Sequence, residues 1–269
     1  MTGSPLHRSP RPLRPTHRRL AMALLGVAAA LAAAACNPST NPSTENTSGT
    51  DNSSSTPGSE SADGAHTEQT TYQITQTASQ LQLDAHSGRV TVTAGNGPIS
   101  VTESFTYSDD KPATSHSVDG DTLNLKEDGC QHERAINGRC EVGWDIHVPA
   151  GTTLSLTTRA GGIAVTGMSG QIDAKTNAGG VRARSLASKN VTAKTNAGGV
   201  DLQFTQVPDQ VQATSNAGGI EIVVPTGASY AVQADTNTGH PDVEVTQADN
   251  STHKIQAKTN AGGIEISNG

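Results

Sequence analysis

Acidic side chains recur at one position of a short repeated strand, and they are the first candidates for chemistry in this sequence. The strand has the form apolar-x-apolar, and its central residue is predicted to face outward because side chains alternate along a β-strand. The successive central residues are Ala164, Arg182, Asp201, Glu221, Glu244 and Glu265. Consecutive carboxylates at one spacing could recruit Ca²⁺ or basic groups, because hard cations prefer oxygen ligands. The alternative is a solvated face that opposes aggregation.

One repeat departs from the others beside these carboxylates. Six residues, Asn237 to Asp242, precede Val243, where the corners of the other copies have four. His240, Pro241 and Asp242 are therefore predicted to bulge outward. Departures from a local rule are often functional, so His240 joins the candidate binding face; a tolerated loop insertion is the alternative.

The sequence contains no recognisable catalytic signature. The repeat G-G-x-G-x-D that binds calcium in other solenoids does not occur, and no histidine pair has zinc-ligand spacing. No G-x-S-x-G nucleophile motif is present either. We therefore expect no cofactor, no metal and no enzymatic activity. A polysaccharide lyase or hydrolase built on a β-helix is the alternative, since such enzymes group their acids in a groove.

The acidic strands belong to a longer repeat that predicts the fold. The hexamer KTNAGG occurs unchanged at 175–180, 194–199 and 258–263, each time after an apolar-x-Ala-x-Thr strand and before an apolar-x-apolar strand. A repeat of about twenty residues with two strands in each copy is typical of a solenoid. We predict an all-β, right-handed parallel β-solenoid, similar to a β-helix, with a less regular N-terminal β cap.

The Asn-Ala-Gly-Gly segments are predicted to be the corners between the two strands of each coil. Asn and Gly tolerate the left-handed backbone conformation that sharp turns require, and Gly199 and Gly219 are expected to provide turn shape or close coil contact. If the coils stack in register, side-chain amides can form a hydrogen-bonded ladder through Asn177, Asn196, Asn216, Asn237 and Asn260. A glycine-rich phosphate cradle is the alternative, but no helix is predicted after these glycines.

The N-terminal 35 residues are predicted to be an export signal. Five arginines and no acidic residue precede an apolar stretch that runs from Leu20 to Ala35, which is short for a membrane span. The sequence AAAC at 33–36 resembles the lipobox of bacterial lipoproteins, and this resemblance implies a lipid anchor at Cys36. Ordinary signal cleavage among the alanines is the alternative. The predicted location is the outer face of the bacterial cytoplasmic membrane, exposed at the cell surface.

The cysteine count and the charge agree with export. Lipidation of Cys36 would leave Cys130 and Cys140 as an even pair, which we interpret as a disulfide that closes a hairpin or loop; a redox-active pair is the alternative. The chain carries a net charge of −7. Without the signal it retains 13 Lys and Arg against 25 Asp and Glu, a net charge of −12. Such a surface argues against nucleic acid as a partner.

The composition suggests four segments. Residues 1–35 are the signal and residues 36–70, rich in Ser, Thr, Asn and Pro, are expected to be a disordered tether. Residues 71–157 would form the cap with the disulfide. Residues 158–269 would form the regular coils.

Residues 71–269 resemble the bacterial putative-adhesin family of β-strand-repeat domains, whose biochemical function is unknown. The resemblance rests on VPAGTTLSLTTRAGGIAV at 148–165, on the apolar-x-Ala-x-Thr strands and on the repeated Asn-Ala-Gly-Gly corners. It implies a non-enzymatic binding, adhesin-like or envelope scaffold module that uses an extended face. The expected partners are the membrane, through the anchor, and a cell-wall polymer, glycan or surface protein. The family provides no catalytic residues to transfer to this sequence.

Overall fold

Two large β-sheets make up the protein. The computed structural model describes the backbone of residues 54–60 and the whole of residues 64–130 and 139–269, and these residues contain twenty strands and no helix. Sheet A has eleven strands in the order β1 (Ser54–Glu60), β2 (His66–Ile74), β5 (Ile99–Tyr107), β8 (Cys140–Val148), β4 (Val90–Ala94), β10 (Ile163–Thr166), β12 (Val181–Leu186), β14 (Val200–Phe204), β16 (Ile220–Val224), β20 (Ile264–Asn268) and β18 (Asp242–Val243).

Sheet B faces sheet A across a thin core. It has nine strands in the order β17 (Ala231–Thr236), β19 (Lys254–Ala261), β15 (Gln210–Ala217), β13 (Asn190–Ala197), β11 (Ile172–Ala178), β9 (Thr153–Ala160), β3 (Gln80–Ser87), β7 (Thr122–Gly129) and β6 (Ala113–Asp119). Inward side chains alternate with outward ones along the strands, as Ile172 and Ala174 do in β11. Most inward residues are Val, Ile, Leu or Ala, so each coil adds one thin layer to a continuous core.

Each coil contributes one strand to each sheet, and neighbouring coils pair in parallel. The coils stack in the order β7/β8, β3/β4, β9/β10, β11/β12, β13/β14, β15/β16, β19/β20 and β17/β18. The predicted all-β parallel solenoid is therefore confirmed. Its handedness stays a prediction.

At both ends of the solenoid, the order of the coils in the stack differs from their order in the sequence. The repeat pattern alone suggests that the two orders are the same. The coil β19/β20 lies between β15/β16 and β17/β18, so the later coil fills the slot that the earlier one skipped. At the other end β3/β4 lies between β7/β8 and β9/β10 in the same way. Equivalent repeat sequences fit equivalent slots, so the local pattern does not specify their order.

Antiparallel strands cover one end of the solenoid. β1, β2 and β5 extend sheet A beyond β8, and β6 extends sheet B beyond β7. Two predicted boundaries change as a result. β1 and the start of β2 lie within the expected tether of 36–70, because backbone pairing at a sheet edge can order a polar sequence. β3/β4 is already a regular parallel coil within the expected cap of 71–157.

The corners are tighter than the sequence predicted. The first strand of a coil continues through Asn and Ala, as β11 does to Ala178, and only two glycines turn the chain. The first glycine of each pair has a positive φ, for example 150° at Gly198, and a Cβ there would lie 2.1 Å from the carbonyl oxygen of Gly179. At Gly199 the nearest atom would be 3.3 Å away and φ is ordinary. The positions that exclude a side chain are therefore Gly198 and Gly218. The expectation that Gly199 and Gly219 provide the turn shape was wrong, whereas a Cβ at Gly199 would make a tight contact with Gly219 O of the neighbouring coil.

A column of buried hydroxyl groups joins successive coils at these corners. The side chains of Thr176, Thr195, Ser215 and Thr259 each donate to the carbonyl oxygen of the first corner glycine of the neighbouring coil, at 2.7–2.9 Å. Thr236 does the same to Gly262 at the end of the stack. These glycine carbonyls lie where the chain leaves one sheet, so a side chain replaces the missing ladder partner.

The predicted asparagine ladder is present, with one change of order. Asn196 donates to Asn177, Asn216 donates to Asn196 at 2.9 Å, and Asn260 donates to Asn216 at 3.2 Å. Asn237 then donates to Asn260 at 3.3 Å, because its coil is the outer one. All five amides are exposed, and all but Asn237, which follows β17, lie in extended strands. None of these asparagines has a positive φ, so Asn provides lateral hydrogen bonds and not the left-handed turn.

The predicted disulfide is confirmed between Cys130 and Cys140. The two cysteines follow β7 and open β8, which belong to different sheets. The bridge therefore closes a loop between sheets, at the place where other coils have a glycine corner, and not a hairpin. Residues 131–138 between them lie outside the described residues.

Candidate functional site

The outward residues of sheet A form one column that crosses the coils in register. From the cap toward the far end the column contains Asp145, Thr91, Ala164, Arg182, Asp201, Glu221, Glu265 and Asp242. Glu244 was predicted to belong to this column and does not. The short strand β18 pairs Asp242 with Glu265, so Asp242 takes the expected place of Glu244.

The column is not uniformly acidic, because two arginines pair with the carboxylate of Asp201. Arg182 Nε lies 3.1 Å and Arg184 Nη2 lies 2.9 Å from Asp201 Oδ2. The two arginines come from β12 and the aspartate from β14, so this ion pair links adjacent coils. The carboxylates that follow are Glu221, Glu265 and Asp242, and their coils lie about 4.8 Å apart. Between Asp201 and the far end the column therefore carries three carboxylates and no cation.

A shallow groove of about 870 Å³ runs beside this column along the glycine corners. Its floor contains the second glycine of each corner pair, at 162, 180, 199, 219 and 263. Arg89 lies at one end and His240 with Asp242 at the other. The groove spans seven coils, so it is about 29 Å long, which is six coil spacings of about 4.8 Å. The structure thus brings Asp201, Glu221, Glu265 and His240 to one groove, while Glu244 is not part of its lining.

The groove offers no metal centre in the part of the chain that the structure describes. No group of three or more His, Cys, Asp or Glu side chains there is placed to hold a metal ion. Glu221 and Glu265 are exposed, so water solvates both carboxylates. What the groove can do is bind an extended chain by polar and charge contacts along its length.

A second polar cluster lies in the cap, where no functional site was predicted. Glu103 of β5 is only 4% exposed, and it accepts hydrogen bonds from Tyr72 Oη at 2.7 Å and from Thr114 Oγ1 at 2.8 Å. The Tyr72 ring stacks on the His116 ring, with centroids 4.5 Å apart. Burial and the adjacent Glu103 carboxylate raise the pKa of Tyr72 far above its ordinary value. β6 contributes Thr114 and His116, so the cluster joins sheet B to sheet A across their ends.

These side chains line a cleft of about 1220 Å³ between the diverging ends of the sheets. The Lys111 ammonium lies 4.1 Å from the centre of the Phe105 ring and 2.7 Å from Glu68 Oε1. The cleft was not predicted because β2, β5 and β6 are distant in the sequence and follow no repeat. The one available signal was Glu103 itself, a charged residue at an inward position of the alternating strand ISVTESF.

Glu127 of β7 is a further buried carboxylate, 6% exposed, beneath the cap. It accepts the backbone N–H groups of His86 and Ser87, at 2.9 Å and 3.3 Å. Burial raises the pKa of Glu127, and these two N–H donors lower it by less. Its hydrogen bonds go to the backbone of the neighbouring coil, so its contacts are structural.

Two predicted features concern the membrane. Cys36 lies outside the described residues, as does the signal segment. Within the described residues, no helix is long and apolar enough to cross a membrane.

Two largely parallel sheets wound from one repeat, with glycine corners and an open groove, define a β-solenoid. Residues 135–267 match the family model Toastrack DUF4097. No curated protein matches the chain.

Solved structures with similar folds carry adhesin names. One is a "putative cell adhesion protein" from Clostridium sporogenes, 13% identical, with a TM-score of 0.44 over 76% of this chain and 100% of that one. Another is a "putative adhesin" from Bacteroides fragilis, 12% identical, with a TM-score of 0.39 over 75% of this chain and 96% of that one. At such identities the names describe those proteins alone.

Proposed function

We propose that the protein is a lipid-anchored, non-enzymatic binding module on the outer face of the bacterial cytoplasmic membrane, with an adhesin-like or scaffolding role. The open corner groove carries this proposal. Its length of about 29 Å and its shallow floor suit an extended polymer, whereas small-molecule sites are enclosed and bury most of their ligand. A cell-wall polymer, a glycan or a surface protein segment would fit such a groove.

Charge along the groove gives the bound polymer a direction. Arg89 and Arg182 lie toward the cap, whereas Glu221, Glu265 and Asp242 lie toward the far end. Complementary charges across an interface fix register and raise the rate of encounter. The ligand that this arrangement favours is a chain that carries both charge signs.

The proposal of a lipid anchor at Cys36 is based on the sequence alone. AAAC at 33–36 follows an apolar segment, and only residues 37–53 separate Cys36 from β1. The test is cell fractionation of the full chain with Cys36→Ser, which we expect in the medium and not in membranes. Unchanged membrane retention of this variant would refute lipid anchoring.

The groove is tested with the soluble Cys36→Ser chain, titrated with wall fragments, purified glycans and envelope proteins. We expect a ligand whose affinity falls with the charge reversals Glu221→Arg and Glu265→Arg. The matched control is Asp249→Arg, an exposed carboxylate away from the groove, which should bind as the parent does. Equal loss in all variants would point to unspecific charge attraction. Shortened polymer products would instead support the alternative, a polysaccharide-active enzyme.

A further inference from the structure

The cap cleft holds a buried carboxylate whose partners are all neutral. Glu103 has Tyr72 and Thr114 as its hydrogen-bond donors, and no Lys, Arg or His side chain among the described residues lies within ion-pair distance of it. A buried carboxylate without a cation is costly, and two donors leave acceptor positions free on both oxygens. A positively charged group that entered the cleft would therefore gain a strong partner.

The wall of the same cleft already holds an ammonium group of the protein. Lys111 places Nζ against the Phe105 ring and Glu68 Oε1, which combines a cation–π contact with an ion pair. Phe105, Lys111 and Glu103 all line the cleft. The cleft thus shows, with its own lysine, that an aromatic face and a carboxylate can hold an ammonium there.

The remaining lining fits a hydroxylated ring better than an aliphatic chain. The exposed His116 ring lies flat on Tyr72 at the mouth and offers a platform for the C–H face of a sugar. Thr70, Gln73, Gln76 and Ser117 surround it with neutral hydrogen-bonding groups. A few placed polar groups around an apolar platform are the usual composition of a ligand site.

We propose that the cap cleft is a second binding site, separate from the corner groove, and that it binds amino sugars with a free ammonium group. The ammonium pairs with Glu103, and the sugar ring stacks on His116. Lys111 repels the incoming cation and so limits the affinity. The site does not depend on the proposed function of the groove.

Two oligosaccharides that differ only in acetylation test whether the ammonium group is needed for binding. The soluble Cys36→Ser chain is titrated by calorimetry with the β-1,4-linked glucosamine tetramer and with the N-acetylglucosamine tetramer, which differ only in acetylation. We expect binding of the first and a loss of at least about tenfold for the second, as a charged hydrogen bond is worth that much. Equal affinity for both tetramers would overturn the role of the ammonium. No binding of either would overturn the site.

Substitutions of cleft residues test whether the ligand binds in the cleft. Glu103→Gln should lower the affinity for the glucosamine tetramer by about tenfold or more, and Lys111→Ala should raise it. His116→Ala changes an exposed ring, so it should fold and still lose affinity. Asp249→Asn is the control for general attraction to an acidic protein and should bind as the parent does. If Asp249→Asn weakens binding as much as Glu103→Gln, the cleft is not the site. If a lysine tripeptide binds as well as the glucosamine tetramer, the sugar part of the proposal is wrong.

Discussion

The hydroxyl group of Thr195 donates a 2.7 Å hydrogen bond to the carbonyl oxygen of Gly179 in the neighbouring coil. Thr195 is buried, and its bond is one of the series that ties successive corners together. Thr195→Val keeps the shape of the side chain and removes the donor, so the Gly179 carbonyl loses this partner. We expect a loss of about 1–3 kcal/mol in the free energy of unfolding.

Denaturant unfolding checks this value, with Thr192→Val as the matched control. Thr192 lies in the same strand, only partly buried, so its replacement should change stability by less than about 0.5 kcal/mol. Equal effects of the two substitutions would mean that the hydroxyl column does not stabilise the stack.

The two glycines of one corner should respond differently to substitution. Gly198→Ala introduces a Cβ 2.1 Å from a backbone oxygen at a positive φ, and we expect a loss of about 2–4 kcal/mol. Gly199→Ala meets its nearest atom at 3.3 Å with ordinary φ, so it should cost less than about 1 kcal/mol. Thermal and denaturant melts of the pair measure the difference, and the reverse order would contradict the corner geometry.

The disulfide between Cys130 and Cys140 should stabilise the protein and leave neither cysteine as a free thiol. We expect mature protein, unfolded without reductant, to show no reactive thiol at Cys130 or Cys140. The double variant Cys130→Ser with Cys140→Ser should lose about 2–3 kcal/mol, the entropy of a loop closed over ten residues. Stoichiometric labelling of the wild-type protein at these cysteines would show that the bridge is absent.

Glu127 should make stability depend on pH. Burial raises its pKa in the folded state, so the folded protein binds this proton more tightly than the unfolded chain does. The free energy of unfolding should therefore fall as pH rises from about 4, the unfolded value, through the raised folded pKa, and then level off. Glu127→Gln should remove this contribution in urea melts across the same range, whereas Asp128→Asn, an exposed neighbour, should keep it. An unchanged slope in Glu127→Gln would contradict the effect of burial.

Much of the fold could be predicted because the repeat is local. The alternation in IDAKT and VRA specifies two strands, and the repeated Asn specifies the ladder. The hydroxyl column could also have been predicted, since Thr176 follows Ile172 and Ala174 at inward positions where a polar group needs a partner. Its acceptor at Gly161 could not, because that contact is set by how the coils stack.

The candidate sites were less predictable. The carboxylates Glu221 and Glu265 were assigned to the correct face from alternation alone. Glu244 was misplaced because the loop after β17 shifts the register of β18, and register depends on pairing that the sequence does not show. The cleft around Glu103 depends on strands joined by long-range antiparallel pairing, for which no periodic signal exists.

The slot at the far end, which is filled out of chain order, has a consequence for how the molecule folds. Because β19 and β20 follow β17 and β18 in the chain but lie inside them, the preceding coils cannot close on each other as they emerge. Until residues 254–268 are synthesised, the edges of β15, β16, β17 and β18 that face this slot have no strand to pair with. Pairing between segments distant in sequence is slow, and open edges invite association with other chains. Completion of the stack is thus a late kinetic step, at which the partly folded molecule is most exposed to proteases and to capture by a second copy of itself.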